Sequence, residues 1–140
     1  MWPLHSSLEI LASKPPANAS EISSLKTYFG STIPAEYVQL VNQTTELQMK
    51  HSNGQYIRIW GPAGCIEMDE GYGIRRRIPG AFPVGDDGGG HVIFYQNGKD
   101  GFGLYHVGYG NLVGDDAIWI APTLADLLTK GKGIERLIES

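Results

Sequence analysis

Only one cysteine, Cys65, occurs among the 140 residues. A single thiol excludes an internal disulfide framework and any metal centre made of cysteines alone, and it suits a reducing compartment. Long apolar runs are also missing: none approaches the roughly 18 residues that span a bilayer. The opening Met1-Trp2-Pro3-Leu4-His5 lacks the basic stretch and apolar core of a secretory signal, so a soluble cytoplasmic protein is expected. Basic residues are few. Eleven Lys and Arg against 15 Asp and Glu leave a net charge of −4 and a pI near 5.5. That balance argues against nucleic acid as a partner, because its binders carry a basic face that displaces phosphate counterions. It is compatible with a basic protein partner, or with acidity that serves solubility alone. The four histidines, His5, His51, His91 and His106, are not spaced as a zinc ligand set.

What is present points to one globular domain over residues 1–140. Hydrophobic residues make up 41% and charged residues 19%, enough apolar surface to build a core without staples. Glycine is abundant: 19 residues, about twice the usual share. The first 50 residues hold only Gly30. The chain therefore divides into a helical first third, a glycine-punctuated strand region and a short helical tail.

Residues 6–12, ahead of the Pro15-Pro16 break, are expected to form a short first helix. Asn18 with Glu21 has the form of a capping box; Ile22, Leu25 and Phe29 then share one helical face, and Gly30 supplies the stop. Pro34 is placed as the first residue of a second helix, whose apolar face is Tyr37, Val38, Leu40 and Val41. From Leu47 the period becomes two, with Leu47, Met49 and His51 alternating with Gln48, Lys50 and Ser52. A two-residue turn on Asn53-Gly54 would oppose Lys50 and Gln48 to Ile57 and Ile59, so a longer loop is expected. Residues 63–73 read as a short helix or an irregular segment. Residues 91–96 and 102–107 read as a hairpin about Asn97-Gly98, and residues 117–121 as a short apolar strand. Thr123 with Asp126 caps a last helix through Leu124, Leu127 and Leu128, ended by Gly131 and Gly133. The implied class is α+β: an antiparallel or mixed twisted sheet flanked on one side by N-terminal helices and a C-terminal helix.

Gly85-Asp86-Asp87-Gly88-Gly89-Gly90 is the densest glycine run. A phosphate cradle requires such a loop to open a helix; here the strand-like His91-Val92-Ile93-Phe94-Tyr95 follows, and two carboxylates would repel a phosphate. A tight turn fits better, with glycine supplying positive φ or close packing and Asp86 accepting backbone hydrogen bonds. Asp86, Asp87, Asp115 and Asp116 lack calcium-loop spacing; together with Tyr109 they are the candidate residues of a partner-binding acidic rim. His91 and His106 can meet across their hairpin. Cys65 with one of them would make a nucleophile and base, the small-hydrolase alternative, whereas a lone cysteine is more often a small buried hydrophobe. Arg75-Arg76-Arg77 reads as a solvated segment balancing Glu67, Asp69 and Glu70. Trp60 and Trp119 are assigned to the core, Trp2 and Tyr109 to exposed anchors. No catalytic residue, cofactor or metal ligand is assigned.

Ile33-Pro34-Ala35-Glu36-Tyr37 is similar to the Leu-Pro-x-x-Tyr helix start of the SUKH superfamily. Pro83-Val84 and the glycine run after them are similar to that family's glycine–aspartate turn before a central strand, and residues 117–128 to its closing strand and helix. The order of these motifs, over about residues 18–130, resembles the superfamily, which includes fungal Smi/Knr cell-wall regulators and bacterial immunity proteins. Two departures stand out. Asn42-Gln43-Thr44-Thr45 replaces an Asn-Gly after the Pro-Tyr helix, and residues 74–78 have no counterpart. The resemblance implies a structural role for Ile33, Pro34, Tyr37, Gly85, Asp86, Asp87, Gly88, Gly89 and Gly90. It also implies a protein partner and no enzymatic activity: an intracellular immunity protein that occludes a toxin domain, or a regulatory scaffold without a toxin.

Overall fold

A computed structural model describes residues 2–138. Seven strands, Leu8–Lys14 (β1), Thr45–His51 (β2), Tyr56–Ile59 (β3), Phe82–Asp86 (β4), His91–Gly98 (β5), Gly101–Gly108 (β6) and Ile118–Ala121 (β7), form one sheet in chain order. Every neighbouring pair is antiparallel, which settles the class as α+β. Helices Ala19–Phe29 (α1) and Ala35–Val41 (α2) lie between β1 and β2. Pro62–Tyr72 (α3) and Ile74–Arg77 (α4) lie between β3 and β4, and Leu124–Lys130 (α5) follows β7.

Local chemistry accounts for most of these boundaries. Asn18 and Glu21 form the reciprocal capping box, with Glu21 N–H donating to Asn18 Oδ1 at 2.8 Å and Asn18 N–H to Glu21 Oε1 at 3.0 Å. Leu25 and Phe29 are the buried face of α1. Phe29 and Tyr37 both meet Phe82 of β4 edge-on, at centroid distances of 4.8 and 5.1 Å, and each such buried ring contributes about 1.5–3 kcal/mol. The β2–β3 loop is longer than two residues, which sets Leu47 against Ile59 and Met49 against Ile57. Gly131, in the left-handed conformation, ends α5.

Three expectations are corrected. Residues 6–12 do not form a helix: β1 runs through them to Lys14 and pairs with β2. A helix that short is marginal alone, whereas β2 supplies partners for its backbone. Pro34 is the cap before α2, with ψ 139°, and not its first residue. The β5–β6 turn is made by Lys99 and Asp100, because Asn97 and Gly98 remain paired with Phe102 and Gly101. The Tyr105 hydroxyl closes that turn, accepting from Asp100 N–H at 3.0 Å and donating to the Gly101 carbonyl at 2.7 Å. The second face of the sheet is partly covered as well. Residues 92–96 and 103–107 are buried without alternation. The segment after β6 covers part of the second face, burying Leu112 and Ala117, with Gln96 Nε2 donating to the Gly114 carbonyl at 3.0 Å.

One tie joins segments 88 and 89 residues apart. The Glu36 carboxylate on α2 accepts the Tyr95 hydroxyl at 2.5 Å and the Leu124 and Ala125 N–H groups at 2.6 and 3.1 Å. It thereby caps α5 from a distant helix and fixes both to β5.

Candidate protein-binding face

The turn between β4 and β5 is built from its own carboxylates. Asp86, 6% exposed, accepts from Gly88 N–H at 2.8 Å and from the Trp60 indole at 2.9 Å. Arg58 Nε stands 3.8 Å from it. Asp87 Oδ1 accepts from Gly89 and His91 N–H at 2.9 and 3.2 Å. The first glycine of the run is demanded by strand approach: a Cβ on Gly85 would fall 2.0 Å from the Arg58 carbonyl oxygen. Gly88, at φ 78°, meets the positive-φ requirement. Asp86 is thus committed to the fold, and only Asp87, half-buried, keeps part of its surface toward solvent.

Aromatic side chains surround this turn. Tyr109, whose N–H donates to the Gly90 carbonyl at 2.9 Å, stacks beneath Tyr72 from the end of α3 at a centroid distance of 4.1 Å. Tyr56 of β3 lies over Gly88, with Lys50 Nζ 5.5 Å from its ring centre. Tyr56 and Tyr72 are 44% and 45% exposed, large values for rings of this size. The Tyr109 hydroxyl is buried and has no hydrogen-bond partner among the described residues. Burial, followed by the charge of Asp86, the neighbouring Tyr72 and the charge of Asp87, pushes its phenol well above the ordinary value, against an opposing pull from Arg58. The result is a tyrosine ledge with an arginine and a carboxylate at its margin.

The structure brings Asp86, Asp87 and Tyr109 together at this turn. Asp115 and Asp116 are exposed on the 3-10 turn Gly114–Asp116, where Asn111 donates to Asp116 at 3.3 Å. Tyr109 is half-buried under Tyr72 and so is not the outermost anchor; Trp2 is likewise packed against the core. Trp60 is buried as expected, whereas Trp119 is half-buried, edge-on to Tyr105. Sequence reading missed Tyr56, Arg58 and Tyr72. The signal for the first two was present, since they alternate with the buried Ile57 and Ile59 along β3.

The remaining chemical candidates resolve as follows. His91 and His106 do meet, Nδ1 to Nδ1 at 2.9 Å, and His106 Nε2 lies 2.7 Å from the Arg136 carbonyl. A carbonyl only accepts, so Nε2 of His106 carries a proton, and between neutral rings His91 is the donor. Cys65 is fully buried, with its sulfur 3.1 Å from the Tyr37 hydroxyl, so its nearest polar neighbour is a phenol and not an imidazole. Burial pushes its thiol up to about 12 from 9.0, against a lowering by the Tyr37 hydrogen bond. A thiol that titrates at about 12 leaves about a thousandth of the usual thiolate at pH 8. Native Cys65 is accordingly expected to react with iodoacetamide at least about a thousandfold more slowly than the unfolded chain, followed by mass spectrometry. Arg75 corrects the solvated reading of the arginine run. Its guanidinium lies 4.7 Å from the centres of both Tyr28 and Phe29 and 3.5 Å from buried Asp69, while Arg76 and Arg77 are exposed.

Among the described residues no group of three or more His, Cys, Asp or Glu side chains could hold a metal ion, and no helix is long and apolar enough to cross a membrane. The concavities beside α1 are lined by Ile22, Ser23, Lys26 and Thr27 on one flank and by Ile33 and Val38 on another. Neither lining pairs an acid with a base. No protein-family model and no curated protein matches the chain.

Proposed function

We propose that this chain is a non-enzymatic, cytoplasmic protein-binding domain of the immunity type, which neutralises a toxin domain by covering its functional surface. The observation that carries the reading is the tyrosine ledge on a rigid turn. Tyr56 and Tyr72 present large rings to solvent, with Arg58 and Asp87 at the margin. Tyrosine and arginine dominate the energetics of protein interfaces because they desolvate much surface for few frozen rotors. The turn beneath them is held by five hydrogen bonds accepted by Asp86 or Asp87, from Trp60, Gln55, Gly88, Gly89 and His91, so little ordering entropy is lost on binding. A net charge of −4 and the Asp87 carboxylate favour a basic partner and speed encounter with it. The resemblance to the SUKH superfamily is what names a toxin as that partner.

The test begins with whether an adjacent reading frame encodes a large secreted protein with a variable C-terminal domain, and proceeds by co-expression with that domain. The wild-type chain is expected to restore growth. Tyr56→Ala with Tyr72→Ala, both on exposed positions and therefore folded, is expected to reduce affinity for that domain at least about a hundredfold, as loss of two anchors does. Absence of protection by the wild-type chain would sink the toxin reading. Protection undiminished in the double variant would move the interface elsewhere.

A further inference from the structure

The two edges of the sheet are treated unequally. Along β7, residues 131–138 close in: a Cβ on Gly133 would fall 1.9 Å from the Ile120 carbonyl oxygen, and Ile134 and Leu137 are buried there. Along β1, every residue after Leu8 is exposed, including Ile10 at 44% and Leu11 at 48%. A strand edge left in this state offers unpaired N–H and C=O groups on the side away from its neighbour.

We propose that β1 pairs antiparallel with β1 of a second copy about a two-fold axis at Leu11, joining two sheets into one. Closure is the first reason to choose a second copy as the occupant. Among the described residues β1 is the edge left open, so its pairing with itself uses both open edges and assembly stops at two. Charge is the second. Glu9 lies near one end of β1 and Lys14 at the other. Antiparallel pairing opposes Glu9 to Ser13 and Leu8 to Lys14, so no like charges meet, whereas a parallel in-register pair would set Glu9 against Glu9 and Lys14 against Lys14.

The choice of axis follows from ladder geometry. Antiparallel positions alternate between hydrogen-bonded and non-hydrogen-bonded pairs, so a two-fold must pass through a residue facing its own copy. Centred on Ala12, it would oppose Ile10 to Lys14; centred on Ile10, Glu9 to Leu11. Centred on Leu11, it opposes Leu11 to itself and Ile10 to Ala12, which joins apolar to apolar. The irregular register of β1 against β2 at Ile10–Ala12 and Ala12–Lys14 and the prolines that follow keep the interface short. Its small area makes the association concentration-dependent.

Light scattering and sedimentation over a concentration series are expected to show the mass rising from 15.3 kDa towards twice that value. Leu11→Lys is expected to remain at the monomer mass with unchanged melting, since the side chain it replaces is half exposed. In Leu11→Cys, mild oxidation is expected to give a disulfide-linked dimer at a yield at least tenfold above Ser13→Cys, which would face Glu9; buried Cys65 stays silent in both. A monomer at every concentration would overturn the proposal and leave the edge to a strand of another protein. A dimer indifferent to Leu11→Lys, or equal cross-linking at both positions, would overturn it too.

Discussion

Replacing Glu36 by alanine is expected to lower the unfolding free energy by about 3–5 kcal/mol, from the loss of charge-assisted hydrogen bonds worth about 1.5–3 kcal/mol each. Three bonds disappear together: one from the Tyr95 hydroxyl and two from the first turn of α5. Tyr95 is 1% exposed, and its phenol is pushed well above 10.0 by burial first and the Glu36 charge second, so it cannot ionise or reach water to compensate. The orphaned N–H groups of α5 lose their only anionic cap. A typical domain is stable by about 5–15 kcal/mol, so this one change removes a large share. Urea denaturation should show the midpoint falling by about 2 M with an unchanged slope. Glu36→Gln retains an oxygen acceptor without the charge and should cost about 1–2 kcal/mol. A loss below about 1 kcal/mol in the alanine variant would show that the clamp does not hold the helices to the sheet.

Alanine substitutions within the β4–β5 turn are expected to grade steeply by position. Gly85→Ala sets a methyl 2.0 Å from the Arg58 carbonyl oxygen and 3.3 Å from the Ile59 Cα. These are backbone atoms that cannot swing away as a side chain would. β3 and β4 are in register only at Arg58↔Asp86 and Ile59↔Gly85, with Trp60 N–H to the Val84 carbonyl at 2.8 Å beyond them. Separating the strands therefore costs most of their pairing and displaces Asp86 from Trp60. A loss of about 4–5 kcal/mol, or failure to fold, is expected. Gly88→Ala meets only positive φ and the Tyr56 Cβ at 3.1 Å and should cost about 1–2 kcal/mol. Gly90→Ala finds open space at negative φ and should stay within about 0.5 kcal/mol of wild type. Denaturation of the three variants side by side checks the order; equal effects at positions 85 and 90 would refute the packing argument.

Much of the architecture was legible because it rests on short-range chemistry. Asn18 with Glu21, Thr123 with Asp126, and the glycines ending α1 and α5 act within one helical turn, so reading neighbours sufficed. The alternation of Leu47 and Met49 with Gln48 and Lys50 showed β2 and its buried face directly. The first strand was misread because Leu8, Ile10 and Leu11 suit either element, and the decision came from β2, whose pairing residues lie some 40 positions away. In the candidate face, Asp86, Asp87 and the glycines were visible as a turn. Tyr72 was not, since nothing local in α3 announces that its ring will stack on Tyr109, just past the end of β6.

The division follows the range of the forces involved. Composition, caps, turn glycines and periodicity determined the class, most element boundaries and the structural character of the glycine–aspartate run, because each depends on residues a few positions apart. Only the folded chain decided that Asp86 faces inward to an indole, that Glu36 caps a helix nearly 90 residues later, that the two histidines touch while Cys65 stays with Tyr37, and that one sheet edge is closed and the other open. Those outcomes are set by packing between distant segments, where a few ångströms of strand approach determine whether a carboxylate holds the fold or meets a partner.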